Sequence, residues 1–231
     1  MARSAELVLA LGAVLLVAGC STTQQKSARA KVQAERLLAT RKQVLVRQPN
    51  PSVRVEGVTL LRGHGRTAVV VALRNDGSRP VSDLPISLRT GGGRYLNRRA
   101  GLGYFQTHAP AIVPGGEATW VFVTRARVRA RGVSARVGLQ PAVSARPARL
   151  PLLRAAPAAG IGRATVTNSS GVPQYGLVVY AFARRGARLV AAGRGSLARL
   201  GPGRRATVPL SLVGSARGLT MRVQAPPTIF K

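Results

Sequence analysis

From Ser52 onward the chain consists of short period-two or β-branched runs separated by Asn-Gly and Pro-Gly corners, roughly one run every ten residues. Val53-Arg54-Val55-Glu56-Gly57-Val58 alternates, and Ala68-Val69-Val70-Val71-Ala72-Leu73 is a β-branched block closed by Asn75-Asp76-Gly77. Alternation suits strands, whose successive side chains point to opposite faces, and Gly, Asn and Pro supply the turn dihedrals between them. Further strands are predicted at Val81–Arg89, Leu102–Gln106, Ala118–Thr124 and Val133–Leu139, with Thr90-Gly91-Gly92-Gly93 and Val113-Pro114-Gly115-Gly116 as loops. Pro141, Pro147, Pro151 and Pro157 then mark an extended connector over 141–157, part of which can pair as the first strand of the second half. Beyond it strands are predicted at Ile161–Thr167, Leu177–Arg184, Ala187–Ala192, Ala206–Val213 and Leu219–Gln224.

The grammar of the first half returns in the second. Leu73-Arg74-Asn75-Asp76-Gly77 is answered by Val166-Thr167-Asn168-Ser169-Ser170-Gly171, and Pro114-Gly115-Gly116-Glu117-Ala118-Thr119 by Pro202-Gly203-Arg204-Arg205-Ala206-Thr207. A duplication is the natural reading. The expected fold is all-β: two small antiparallel β-sandwich domains, 52–140 and 158–231, the second self-contained enough to fold as a fragment. With one Cys in the chain, packing rather than disulfides must hold them.

The order Asn168-Ser169-Ser170-Gly171, Leu177-Val178-Val179-Tyr180-Ala181-Phe182, Arg185-Gly186-Ala187-Arg188-Leu189-Val190, Leu200-Gly201-Pro202-Gly203 resembles the immunoglobulin-like FxLYD-type domains of bacterial envelope proteins. The likeness covers roughly 158–228 well and 52–140 loosely. It implies a disulfide-free sandwich used as a spacer or binding module.

At the N-terminus, Arg3 precedes an apolar run from Leu7 to Ala18 that ends in Val17-Ala18-Gly19-Cys20. Twelve residues are too few to span a bilayer comfortably, at roughly 20 per crossing, and have the length of a signal-peptide core. The ending resembles the lipobox of bacterial lipoproteins. That resemblance implies a signal peptide over 1–19, a diacylglyceryl thioether on Cys20, and a lipid-anchored protein on the extracytoplasmic side of a membrane of the cell envelope. Residues 20–51 read as a basic stem, rich in helix formers over Ser27–Val46 and stopped by Pro49-Asn50-Pro51. The stem is either a solvated tether or a basic strip against anionic headgroups.

Charge is the other strong feature: 36 Lys and Arg face six Asp and Glu, for a formal +30. The excess runs through the whole chain, and 158–231 contains no acid at all. Arg abundance is partly explicable by codon usage, but the scarcity of acids is not. Little is left for catalysis: no nucleophile elbow, phosphate loop, His-Glu-x-x-His or Cys-x-x-Cys occurs. His64 and His108 lack an evident orienting acid, so no catalytic residues, no metal and no cofactor are assigned.

Arg125, Arg127, Arg129 and Arg131 recur with spacing two, which puts four guanidinium groups on one face of an extended segment and Ala126, Val128 and Ala130 on the other. Like charges in a row repel, so the ladder is either a solvated face or an anion-binding site of planar bidentate donors. Arg94, Arg98 and Arg99 would join it if their loop lies nearby, whereas Arg184, Arg185, Arg204 and Arg205 are taken to lie elsewhere. Gly91-Gly92-Gly93-Arg94 and Gly193-Arg194-Gly195-Ser196 are read as loops, with amides that could meet a phosphate. Trp120 is expected to pack between sheets. The resulting expectation is a noncatalytic envelope lipoprotein that binds or spaces, through basic contacts with an anionic envelope polymer or lipid. Docking of a protein partner is the first alternative. Capture of nucleic acid is permitted by the ladder but specified by nothing, since no aromatic stacking pattern accompanies it.

Overall fold

The apolar runs become strands, and the turn residues become the corners between them. The computed structural model describes residues 30, 44–63, 65–98, 101–125, 128, 132–140, 150–159 and 162–229. The expected signal peptide over 1–19, Cys20, nearly all of the expected stem, His64, Arg99, Arg127, Arg129, Arg131 and residues 141–149 of the connector lie outside them. The described chain is all-β and antiparallel: β1 (Val53–Gly63), β2 (Arg66–Asn75), β3 (Leu84–Thr90), β4 (His108–Ala109), β5 (Glu117–Thr124), β6 (Val133–Val137), β7 (Leu153–Pro157), β8 (Arg163–Asn168), β9 (Gln174–Arg185), β10 (Arg188–Leu200), β11 (Arg205–Pro209), β12 (Ser211–Gly214) and β13 (Met221–Gln224). They pair in four sheets ordered β1-β2-β5, β4-β3-β6, β11-β8-β7 and β12-β10-β9-β13.

The repeat seen in sequence is a repeat of topology. β2 pairs with β1 and β5 as β8 pairs with β7 and β11, and β3 pairs with β6 as β9 pairs with β13. β7 comes from the Pro-rich connector, which therefore supplies the first strand of the second repeat by pairing Leu153 with Asn168.

One layer is shared between the repeats. β9 is buried on both faces: Leu177, Val179 and Ala181 pack with Ala164, Val166 and Val208, whereas Val178, Tyr180 and Phe182 pack in the same cluster as Val69, Val71 and Trp120 of the first repeat. The cross-strand row Val213, Ala192, Phe182 lies on that second face. Two polar contacts cross the same junction. Gln224 Oε1 accepts the edge N–H of Thr119 at 3.1 Å, and Arg194 Nη1 donates to the Phe105 carbonyl at 3.2 Å.

Two local expectations need correction. Leu102–Gln106 is not a strand: Tyr104–Gln106 forms a single 3-10 turn that buries Phe105, and Trp120 Nε1 donates to the Phe105 and His108 carbonyls. Nor is Gly193–Ser196 a loop. It lies inside β10, where the β11 and β12 segments pass so close that a Cβ on Gly195 would collide with the Pro209 carbonyl oxygen. Glycine is needed there for backbone approach, not for a turn.

Candidate functional site: an arginine end without acids

The antiparallel layers give the body two distinguishable ends. At one, β1 starts, β2 ends at Asn75 and β5 starts at Glu117. At the other, β1 turns into β2 near Gly65 and β5 ends at Thr124, paired with Thr67. The second repeat touches the first at this end, where the backbone of Gly214 lies 3.1 Å from where a Cβ on Gly63 would sit. Ala191 pairs with Gly214 and Ala183 with Met221, so the β9–β10 hairpin tip and the β12–β13 loop belong to this same second end.

The exposed acids of the described chain gather at the first end, whereas arginines stand at both. Arg54 and Arg74 are cross-strand partners near the first end, and Arg74 pairs with Glu117. They hold Glu56, Asp76 and Glu117 in one network: Arg54 to Glu56 at 3.7 Å and to Asp76 at 3.5 Å, Arg74 to Asp76 at 3.2 Å and to Glu117 at 3.2 Å. Glu117 is the last acid in the chain. At the second end, Arg125, Arg184, Arg185, Arg188 and Arg217 are exposed and Arg66 is half-buried, and among the described residues no carboxylate pairs with them. β1, eleven residues long, separates the ends by roughly 35 Å at about 3.3 Å per residue. That is several times the Debye length of about 8 Å at physiological salt, so the acids of one end do not neutralise the other.

Of the expected ladder, Arg125 is exposed just past β5, and Arg127, Arg129 and Arg131 lie outside the described residues. Val128 between them is buried; its carbonyl accepts Arg62 Nε at 2.9 Å and its N–H donates to Thr67 Oγ1 at 3.4 Å, which ties Val128 to the β1–β2 hairpin. The Gly91–Arg94 loop meets the residue just before β6, with Gly91 N–H donating to the Gly132 carbonyl at 3.2 Å. Beside that loop, Arg89 of β3 and Arg98 both stack on Tyr95, at 5.9 and 5.6 Å from the ring centre. Arg205 starts β11 and Arg204 precedes it, both at the far end as expected of positions remote from Arg125, but Arg184 and Arg185 are not at that end. They form the β9–β10 tip on the same end as Arg125, where Arg184 Nη1 donates to the Ala187 carbonyl at 2.7 Å. The Arg-Arg-Gly-Ala-Arg turn was visible in sequence; its placement at the same end as Arg125 required knowing how the repeats stack.

The remaining candidates are engaged in the fold. His108 is buried, stacked on Tyr104 at 4.0 Å, with Nδ1 2.9 Å from Thr107 Oγ1. Tyr180 and Arg194 face each other across β9 and β10 at the junction of the repeats, and the Tyr180 hydroxyl is buried without a hydrogen-bond partner. Burial pushes the phenol's pKa up, and the charge of Arg194 opposes that only in part; burial also pulls the guanidinium of Arg194 down. Among the described residues no group of three His, Cys, Asp or Glu could hold a metal, and no helix is long and apolar enough to cross a membrane. No protein-family model and no curated protein matches the sequence.

Proposed function

We propose that the chain is a lipid-anchored envelope protein whose two immunoglobulin-like, FxLYD-type repeats are a noncatalytic binding module for anionic groups of the envelope. The observation that carries this reading is the confinement of the exposed, paired acids to one end of the body. Arg54 and Arg74 bind the exposed acids at one end, and the opposite end displays arginines from both repeats with no carboxylate partner among the described residues. An arrangement of like charges costs stability through mutual repulsion, so it is more readily understood as a site for an anion than as a packing device. The lipobox ending and its single Cys20 support the anchor.

Two variants test the two parts of the proposal separately. Cys20→Ala abolishes lipid labelling and either frees the protein from membranes or leaves it as a precursor; a variant processed and membrane-bound like the parent refutes the anchor. Replacing Arg125, Arg184, Arg185 and Arg188 with Gln weakens binding of inorganic polyphosphate far more than replacing Arg79, Arg154, Arg204 and Arg205 does. Equal losses from the two sets, at unchanged thermal stability, mean that diffuse charge binds and the end is no site.

A further inference from the structure

We propose that Arg89 and Arg98, stacked on the shared ring of Tyr95, form a clamp that takes a phosphate group between two guanidinium forks. This rests on the anion-binding reading above and deepens it, by naming the residues of one site and the chemical class of its ligand.

The fold builds the first fork at the tip of β3. After Thr90 the chain turns tightly, the Gly93 N–H donating to the Thr90 carbonyl at 2.8 Å and the Arg94 N–H to Thr90 Oγ1 at 3.1 Å. Gly93 has a φ of 84°, in the left-handed region, and a Cβ there would lie 3.2 Å from Arg89 Nη2. Glycine thus both permits the turn and leaves room for the Arg89 guanidinium. Arg89 Nε donates to the Gly93 carbonyl at 3.1 Å, and the guanidinium stands 5.9 Å from the ring centre of Tyr95, its bridge partner across the turn. One bond and one ring hold the group, and its two Nη atoms keep their hydrogens for a ligand.

The second fork arrives along the same strand. Leu96 N–H donates to the Leu88 carbonyl at 3.0 Å, and the buried Asn97 side chain accepts the Leu88 N–H at 2.9 Å and donates to the Ile86 carbonyl at 2.8 Å. This fastens the exit of the turn to β3 and delivers Arg98 to the Tyr95 ring, 5.6 Å from its centre. The two guanidinium groups are therefore within about 12 Å of each other. Arg98 is exposed and has no other side-chain bond among the described residues, so it is free to swing toward an anion held by Arg89.

Exposed arginines are common on this chain, but these two are gathered and oriented. Arg199 stacks alone on Tyr175, at 5.7 Å, whereas among the described residues Tyr95 is the one ring that carries two guanidinium groups. One cation would satisfy the ring, and the second adds repulsion. The exposed acids are engaged by Arg54 and Arg74, so no carboxylate offsets that repulsion. The number of forks indicates the ligand class. A single fork matches the two oxygens of a carboxylate, whereas two forks at one place suit the three acceptor oxygens of a phosphate group.

The test titrates the full chain with inorganic phosphate at constant ionic strength, sodium phosphate replacing sodium chloride, and reads binding by calorimetry. Arg89→Gln and Arg98→Gln should each weaken binding about tenfold. Arg163→Gln, which removes an exposed arginine of β8 in the other repeat, should change it less than about twofold. Tyr95→Leu leaves every charge in place and should weaken binding about fivefold, whereas Tyr95→Phe keeps the ring face and should bind like the parent. If Arg98→Gln and Tyr95→Leu bind phosphate like the parent, or if Arg163→Gln loses as much as Arg98→Gln, the ring organises no site and the inference is overturned. Arg98 is exposed, so its variant decides the matter even where Tyr95→Leu does not fold. Glycerophosphoglycerol, the headgroup of phosphatidylglycerol without its chains, separates the sources: tighter binding than inorganic phosphate assigns the clamp to lipid phosphodiesters, and weaker binding assigns it to free or terminal phosphate. None of these variants alters Arg125, Arg184, Arg185 or Arg188. If the polyphosphate comparison on those four holds while the Arg98 and Tyr95 variants bind like the parent, this site falls and the broader reading stands.

Discussion

Asn75 and Asn168 hold the same corner of the two repeats by the same bonds. Each Nδ2 donates to the carbonyl four residues on, Arg79 at 2.8 Å and Val172 at 2.9 Å, and each Oδ1 accepts the N–H two residues on, Gly77 and Ser170, both at 3.0 Å. Each amide also reaches the strand leading to the Pro-Gly turn, through the carbonyls of Ile112 at 3.2 Å and Leu200 at 3.3 Å. Both side chains are fully buried. Ala at either position removes these bonds and strands buried backbone groups, so a loss of about 2–3 kcal/mol is expected from each, roughly additive because the corners share no partner. Denaturant melts of the two single variants and the double variant measure this. A loss under about 0.5 kcal/mol from either would mean that water replaces the amide.

Gly195 and Gly91 should respond oppositely to Ala. A Cβ on Gly195 meets the Pro209 carbonyl oxygen, and the obstacle is backbone that cannot swing aside, so Gly195→Ala should cost about 3 kcal/mol or more, or prevent folding. Gly91 has open space around its Cβ position. Gly91→Ala should stay within about 0.5 kcal/mol of the parent. Thermal melts of the two proteins side by side decide it, and tolerance at Gly195 would refute the close crossing of β10 by β11 and β12.

Tyr180→Phe should be neutral or stabilise by about 1 kcal/mol, because it deletes a buried hydroxyl that has no partner. It should also change the alkaline behaviour. Burial raises the folded pKa of Tyr180 above its unfolded value, so the stability gained by keeping the phenol neutral is fully present below about pH 10 and is lost as pH rises past it. The Phe variant should therefore lose less stability than the parent between about pH 9 and 11. Identical pH dependence of the two proteins would show that water reaches the hydroxyl.

Period-two runs and corner residues made most strands legible in the sequence, including the pairing potential of the Pro-rich connector that became β7. Three features were not legible. Tyr104–Gln106 has strand-like composition but is bent by tertiary contacts, since Trp120 draws the Phe105 and His108 carbonyls onto its indole N–H. Gly193 and Gly195 look like loop punctuation, yet they are strand residues made necessary by another backbone passing over them. The arginine end could not be assembled from spacing, because Arg125 and Arg184 come to the same end only through the stacking of one repeat on the other. Val128, which the spacing put on the face opposite the arginines, is buried.

The shared layer changes what a fragment should do. Residues 158–231 have strand grammar of their own, but they omit β7, which pairs with β8 from Leu153 to Pro157. They also expose Val178, Phe182, Leu189 and Val213, which the intact chain buries against the first repeat. At about 25 cal/mol per Å2, losing such a face removes several kcal/mol from a unit too small to spare it. We expect residues 158–231 alone to be poorly folded, and 150–231, with β7 restored, to be β-rich but self-associating through the uncovered β9–β10 face. The full chain should unfold in one transition by circular dichroism and by Trp120 fluorescence together, since Trp120 belongs to the core that spans both repeats. A monomeric, cooperatively melting 158–231 would show that the junction contributes little, and two resolved transitions in the full chain would show that the repeats fold independently. Replacing Phe182 with Asp places an unpaired charge at that junction. It should lower the stability reported by Trp120, which is in the other repeat, as much as that reported by the second repeat's own backbone signal.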